Sequence, residues 1–158
     1  MDNQELLNYL VDIPFTFHQR PTPLEPQFRV IWGLSILVLI LYICSRGKKS
    51  SVSRLHFLSW AVRSAENREN LIELLENRHS PLAALVQYDP SFDRAIKYAL
   101  AEKLVETDNG KTIRLAPNGL TLVQQIIQTE NCLKEEKDFL TQKAVLVTET
   151  QAKIFLTN

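Results

Sequence analysis

The stretch from Val30 to Cys44 constrains the fold more than any other part of this sequence. Its fifteen residues include no charged side chain. A helix that is apolar on every side must be covered on every side, by its own domain or by something else. Fifteen helical residues span roughly 22 Å, less than the roughly 30 Å hydrocarbon core of a bilayer. The stretch therefore predicts a buried helix rather than a membrane span.

The sequence leaves open what covers this helix. It is richer in apolar residues than a small monomeric domain needs, so burial against a partner protein is one hypothesis. The side chains that would contact the partner are Trp32, Ile36, Leu39, Ile40 and Ile43. A membrane anchor is another hypothesis, and the cations that follow the apolar stretch would then place residues 46–158 in the cytoplasm.

Cysteine usage indicates the compartment. Only Cys44 and Cys132 occur, and their wide separation fits neither a disulfide framework nor a zinc site. A hydrophilic, proline-containing segment precedes the apolar stretch, which is not the pattern of a secretory signal. We therefore expect a cytoplasmic protein.

Composition and periodicity divide the chain into four segments. Residues 1–27 predict a short helix and a linker in which four prolines keep the backbone extended. Residues 28–65 predict the apolar helix and a basic helical segment, and residues 66–130 predict the core of the domain. Residues 131–158 predict C-terminal helices, the last of which begins at a capping-box pattern, Thr148-Glu-Thr-Gln151.

Two helix starts lie close together within the core segment. Ser80-Pro81 and Asp89-Pro90 each place a capping residue before a proline at the first helical position. The first helix is short, and the second continues with an apolar stripe that begins at Phe92 and ends at Leu104. This spacing is typical of a helix-turn-helix.

A β-hairpin follows the second helix. Residues 104–107 and 112–115 bracket Asn109-Gly110, a pair that accepts positive φ at both turn positions. A further amphipathic helix begins near Leu120. The order of these elements predicts a mainly α fold: a winged helix-turn-helix with one β-hairpin wing, an N-terminal apolar helix and a C-terminal helical extension.

No catalytic constellation is evident in the sequence. Gly47-Lys48 lacks the earlier glycine of a phosphate-binding loop, because that position is Tyr42. The histidines at 18, 56 and 79 have neither metal-binding spacing nor a nucleophile nearby. We therefore expect a protein that is not an enzyme and that holds no cofactor or metal.

Charge is balanced overall but uneven along the chain. Eighteen lysines and arginines match eighteen acidic residues, which removes any global electrostatic case for nucleic-acid binding. Residues 28–68, however, carry seven cations against Glu66 alone. Any contact with DNA must therefore be local.

The candidate DNA-contacting residues fall into three groups. Winged helices place a recognition helix in the major groove and the wing on phosphate. The candidates are Arg94 and Lys97 on the helix, Lys111 and Arg114 on the wing, and Arg46, Lys48, Lys49 and Arg54 in the basic segment. Acidic residues stand among the helix and wing cations, which favours a protein-binding winged helix over one that reads DNA bases.

The basic segment also carries a resemblance. Residues 45–64, SRGKKSSVSRLHFLSWAVRS, follow an apolar helix and precede DPSFDRAI at 89–96 and the wing. This arrangement resembles the middle component of bacterial ABC-three-component systems, the Lamassu-type anti-phage group, over residues 28 to about 156. In that family a small winged-helix subunit accompanies a coiled-coil ATPase of the structural-maintenance-of-chromosomes (SMC) type and an effector that is often a nuclease.

The resemblance implies a non-catalytic adaptor that couples DNA sensing by the SMC-like ATPase to the effector nuclease. Double-stranded DNA would then be contacted within the complex, and no membrane would be involved. Two other hypotheses remain. A stand-alone winged-helix regulator would bind duplex DNA as a homodimer, and a membrane-anchored winged-helix protein would require detergent for extraction.

Overall fold

A computed structural model describes residues 29–76 and 89–157 of the chain. Within this part the protein is mainly helical with one small antiparallel sheet, as expected. The helices are α1 (Val30–Leu39), α2 (Val52–Val62), α3 (Ala65–Leu75), α4 (Pro90–Ala101), α5 (Pro117–Gln128), α6 (Lys134–Gln142) and α7 (Glu149–Thr157). The strands are β1 (Lys49–Ser51), β2 (Val105–Thr107) and β3 (Thr112–Leu115). The predicted N-terminal helix, the proline-rich linker and the helix start at Ser80-Pro81 lie outside the described residues.

Helix α1 lies at the centre of the fold, and a π-helical turn, Ile40–Cys44, continues it. Helices α4 and α5 pack against it. Gly33 allows the close approach of α4, because a Cβ atom at this position would lie 2.8 Å from the Cβ of Ala95. The prediction of a buried apolar helix is confirmed. No helix among the described residues is both long and apolar enough to cross a bilayer.

The burial of α1 corrects the assignment of its side chains to a partner surface. Trp32 is buried, and Ile36, Leu39 and Ile40 have no exposed surface at all. Ile43 is half-buried and packs against the same core. The domain itself covers these side chains, so they offer no apolar face to another protein.

The basic segment begins with a turn and a strand, and the predicted helix follows them as α2. Gly47 has a φ of +66° within the tight turn Arg46–Lys48, and the chain then enters β1. Helix α2 begins only after Ser51, whose hydroxyl oxygen accepts a hydrogen bond from the Arg54 amide at 3.1 Å. The first helical segment ends at Ser45, whose backbone is extended, and the serine cap begins the second.

The sheet has the strand order β1-β3-β2 with antiparallel pairing throughout. The predicted hairpin of β2 and β3 is confirmed, whereas β1 was not predicted. The turn differs from the expected one: Gly110 alone has a positive φ, and the Asn109 side chain instead accepts hydrogen bonds from the backbone of Lys111 and Thr112. The loop is longer than the two-residue turn that Asn-Gly predicts. The Asn109 side chain therefore accepts the backbone hydrogen bonds, and no second residue with positive φ is needed.

Two sequence-predicted helix starts have the expected caps. The Asp89 carboxylate accepts a hydrogen bond from the Ser91 amide at 2.9 Å, with Pro90 at the first helical position of α4. At α7, the Thr148 amide donates to Gln151 Oε1 and the Gln151 amide donates to Thr148 Oγ1, which is the predicted capping box. Helix α7 packs on α2.

Candidate functional site

The sheet brings together cations from two distant parts of the sequence. Lys49 on β1 pairs directly with Arg114 on β3, and both side chains are exposed. Lys111 lies in the hairpin loop, and its carbonyl oxygen accepts a hydrogen bond from the Val52 amide at 2.9 Å. We call this surface the basic edge; it comprises Arg46, Lys48, Lys49, Lys111 and Arg114. Five of the eight predicted DNA-contacting residues therefore lie on strands β1 and β3 or in the turns beside them.

Two adjoining hollows form a groove along the basic edge. The first has a volume of about 500 Å³, and Arg46 and Lys49 line it. The second has a volume of about 700 Å³, and Lys111 lines it near the start of α7. Ser51 and Glu149 line both hollows. The two hollows are therefore neighbours, one beside the turn after α1 and the other beside the hairpin loop.

The cations of the basic edge differ in their partners. Lys48 lies over the ring of Tyr42, with its ammonium group 5.4 Å from the ring centroid. Arg114 forms an ion pair with Asp108 at 2.9 Å. The other three cations are exposed and form no ion pair within the described part of the chain; they are Arg46, Lys49 and Lys111. These three can bind an external anion without first breaking an internal ion pair.

Arg54 belongs to the wall of the first hollow but is almost wholly buried there. Its side chain is only 4% exposed. The guanidinium donates to the Val147 carbonyl oxygen at 2.9 Å, to the Cys44 carbonyl oxygen at 2.6 Å and to Ser45 Oγ at 3.1 Å. The prediction that Arg54 contacts DNA is therefore wrong. Its donors bind the ends of two helical segments, so the residue joins α2 to the chain before β1 and to the chain before α7.

Glu149 is the residue of the groove that the sequence did not reveal. Its carboxylate accepts hydrogen bonds from the Ser51 amide at 3.1 Å, from Ser51 Oγ at 2.5 Å and from Ser50 Oγ at 2.9 Å. Partial burial acts to raise the pKa of this carboxyl group, but the serine hydrogen bonds and the nearby Arg54 guanidinium outweigh it. They hold the pKa of Glu149 below its ordinary value, so the group is an anion at neutral pH.

The sequence predicts where Glu149 lies on α7 but not which residues it contacts. The capping box places this residue in the first turn of α7, where an acidic side chain is favourable. Its partners Ser50 and Ser51 lie almost a hundred positions away along the chain, and no local pattern connects them to it.

The remaining two predicted residues lie outside the basic edge, on α4. Arg94 and Lys97 are exposed, and Lys97 forms an ion pair with Asp93 at 2.8 Å. Tyr98, half-exposed, lies beside them along the helix. The exposed face of α4 therefore has mixed charge, in contrast to the cation-rich groove.

The described residues offer the groove no obvious catalytic group. Cys44 lies at its wall, but burial, opposed only in part by Arg54, raises the pKa of the thiol to about 12, so no thiolate forms at neutral pH. Burial likewise lowers the pKa of His56, against the opposing effects of Asp93 and Asp89. No group of three or more possible metal ligands occurs within the parts of the chain described here.

Comparison of the chain with protein-family models, with curated proteins and with solved structures finds no match.

Proposed function

We propose that this chain is a winged-helix protein. The order of its elements supports this assignment: an apolar helix, a short strand, further helices ending in α4, and then the hairpin. Strand β1 pairs with β3, the far strand of the hairpin, so the wing is part of a three-stranded sheet rather than a free ribbon. Helix α4 directly precedes the wing, which is the position of a recognition helix.

We propose further that the protein is a non-catalytic adaptor that holds duplex DNA by its phosphates. One observation carries this function: the pairing of β1 with β3 brings Arg46 and Lys49 to one hollow and Lys111 of the hairpin loop to the adjoining one. Exposed lysine and arginine side chains on a continuous edge are the usual phosphate-binding surface. The mixed charge on α4, where Asp93 pairs with Lys97, favours an adaptor that positions DNA over a regulator that reads bases.

The partners come from the resemblance of residues 28 to about 156 to the Lamassu-type middle component. We propose that the chain joins an SMC-like coiled-coil ATPase and an effector nuclease in the cytoplasm. It would hold DNA near the ATPase and couple the DNA-bound state to the effector. The burial of α1 within its own domain means that the partner contacts must lie on other surfaces.

Titration of a short fluorescent duplex with the purified protein tests the DNA contact. We compare wild type with the double variant Lys49→Glu/Lys111→Glu, over about 50 to 200 mM salt. Each phosphate contact adds about 0.9 to the slope of log affinity against log salt, so the variant should lose at least about tenfold in affinity and about two units of slope. Lys134→Glu, an exposed cation on α6, is the matched control and should stay close to wild type.

Unchanged affinity and slope in the double variant would contradict the DNA-binding function. A detergent-free pull-down from the native host tests the partners separately, and recovery of a long coiled-coil ATPase with a nuclease-like chain is the expected result. Recovery of a homodimer that prefers one DNA sequence would favour the stand-alone regulator instead.

A further inference from the structure

We propose that the first turn of α7 is an autoinhibitory latch on the basic groove, in which the Glu149 carboxylate occupies the place of a DNA phosphate. The inference rests on the proposed DNA-binding function, since it concerns the regulation of the same groove. The proposal gives α7 a role in regulating DNA binding, in addition to its packing on the domain.

The position of the carboxylate is the first observation. Glu149 lines both hollows of the groove, with Arg46 and Lys49 in one and Lys111 and Lys153 in the other. Its carboxylate is thus the acidic group that the two cation-lined hollows share. Any phosphate that enters the groove meets this carboxylate and is repelled by it, because like charges at short range disfavour each other.

The chemistry of its hydrogen bonds is the second observation. The carboxylate accepts from one backbone amide and from two serine hydroxyl groups, Ser50 and Ser51. A phosphate oxygen accepts from the same donors. Behind them, the buried Arg54 guanidinium donates to Ser50 Oγ at 3.3 Å and extends the positive field towards the anion.

The anchoring of α7 determines how the latch opens. The helix packs on α2, where the rings of Phe155 and Phe57 lie 5.4 Å apart. Glu149 itself is largely exposed, at the first turn of the helix. Rotation of its side chain into solvent therefore frees the serine donors while the rest of α7 stays packed. A phosphate then takes the hydrogen bonds that the carboxylate leaves.

The experiment compares the DNA affinity of full-length wild type with that of Glu149→Gln, which keeps the shape of the side chain and removes its charge. With a fluorescent duplex at low salt, we expect Glu149→Gln to bind about 3- to 10-fold more tightly, because one repulsive charge leaves the phosphate site. Glu69→Gln removes one exposed negative charge from α3 and is the matched control. It should change the affinity by less than about twofold, since salt screens charges outside the groove.

A second variant keeps the proposal testable if Glu149→Gln unfolds, which a circular-dichroism melt would reveal. Gln151→Ala removes one half of the capping box and loosens the first turn of α7, yet leaves Glu149, Ser50 and Ser51 in place. It should also tighten DNA binding, though by less than Glu149→Gln.

Two outcomes overturn the latch, and they are distinguishable. If both α7 variants bind DNA no more tightly than Glu69→Gln while Lys49→Glu/Lys111→Glu loses binding, the latch is wrong and the DNA-binding function stands. If Lys49→Glu/Lys111→Glu binds as wild type does, the DNA-binding function fails and the latch fails with it. Tighter binding by the folded α7 variants, together with the loss caused by Lys49→Glu/Lys111→Glu, supports both.

Discussion

At the residue scale, Arg54 shows that burial, and not charge alone, determines the role of a side chain. Its charge groups it with the surface cations of the basic segment, but its position in α2 places it on the same helix face as the buried Phe57, Leu58 and Ala61. The fold satisfies this buried cation with carbonyl and hydroxyl oxygens from two segments, the chain before β1 and the chain before α7. A planar guanidinium with five donors suits such a site better than an ammonium group.

We therefore predict that Arg54→Lys destabilises the protein strongly. Lysine cannot reach the Val147 and Cys44 carbonyl oxygens together, so buried acceptors and a buried charge lose partners, at a cost of about 3 kcal/mol or more. Urea unfolding followed by circular dichroism measures this loss. The same substitution at the exposed Arg94 is the control and should cost less than about 0.5 kcal/mol. Equal stability of the two variants would mean that Arg54 is not the buried junction described here.

At the scale of elements, local signals located two helix starts and the hairpin. The Asp89-Pro90 start and the capping box at Thr148 were both predictable, because each cap is formed by residues within one turn of the helix. Strand β1 was not predictable. Its three residues, Lys49–Ser51, have no apolar alternation, and they form a strand only because β3 supplies their hydrogen-bond partners.

The start of α5 yields a prediction about close packing between elements. A Cβ atom on Gly119 would lie 2.0 Å from the Leu104 carbonyl oxygen, which also accepts a hydrogen bond from the Ala116 amide at 3.0 Å. The atoms that a Cβ would meet belong to the backbone, so they cannot move away as a flexible side chain could. Gly119→Ala should cost about 2 kcal/mol or more, despite a helix-propensity gain of about 1 kcal/mol.

A thermal melt measures this effect, with the exposed neighbour Asn118→Ala as the control. Asn118→Ala should leave the melting temperature within a few degrees of wild type, about what a surface change produces. If Gly119→Ala melts at or above the wild-type temperature, the close contact between α5 and the chain at Leu104 is not present.

At the scale of the whole molecule, α1 organises the core. Helices from both halves of the described chain pack around it, so one apolar stretch is covered by the domain that contains it. The zero net charge of the sequence conceals the basic groove, because the groove forms only when strands from two regions pair. Core and groove are thus both products of contacts between residues far apart in sequence.

Two isoleucines in α1 test this account of the core. Ile36 has no exposed surface, whereas Ile31 is 74% exposed in the same helix. Ile36→Ala should lower the free energy of unfolding by about 2 to 5 kcal/mol, through lost burial and a cavity, and Ile31→Ala by less than about 1 kcal/mol. Chemical denaturation of the isolated protein measures both. Similar small losses in the two variants would show that a membrane or a partner, and not this domain, covers α1.

The sequence by itself determined the helical class, the hairpin, the caps and the burial of the apolar stretch, because periodicity and capping act over one or two turns of chain. It also predicted all five cations of the basic edge as candidate DNA contacts. Only the tertiary structure decided that Arg54 is buried, that β1 pairs with the hairpin, and that Glu149 lines the same hollow as Arg46 and Lys49. These features depend on hydrogen bonds between segments that are about 60 to 100 residues apart, and no local pattern of residues encodes such a pairing.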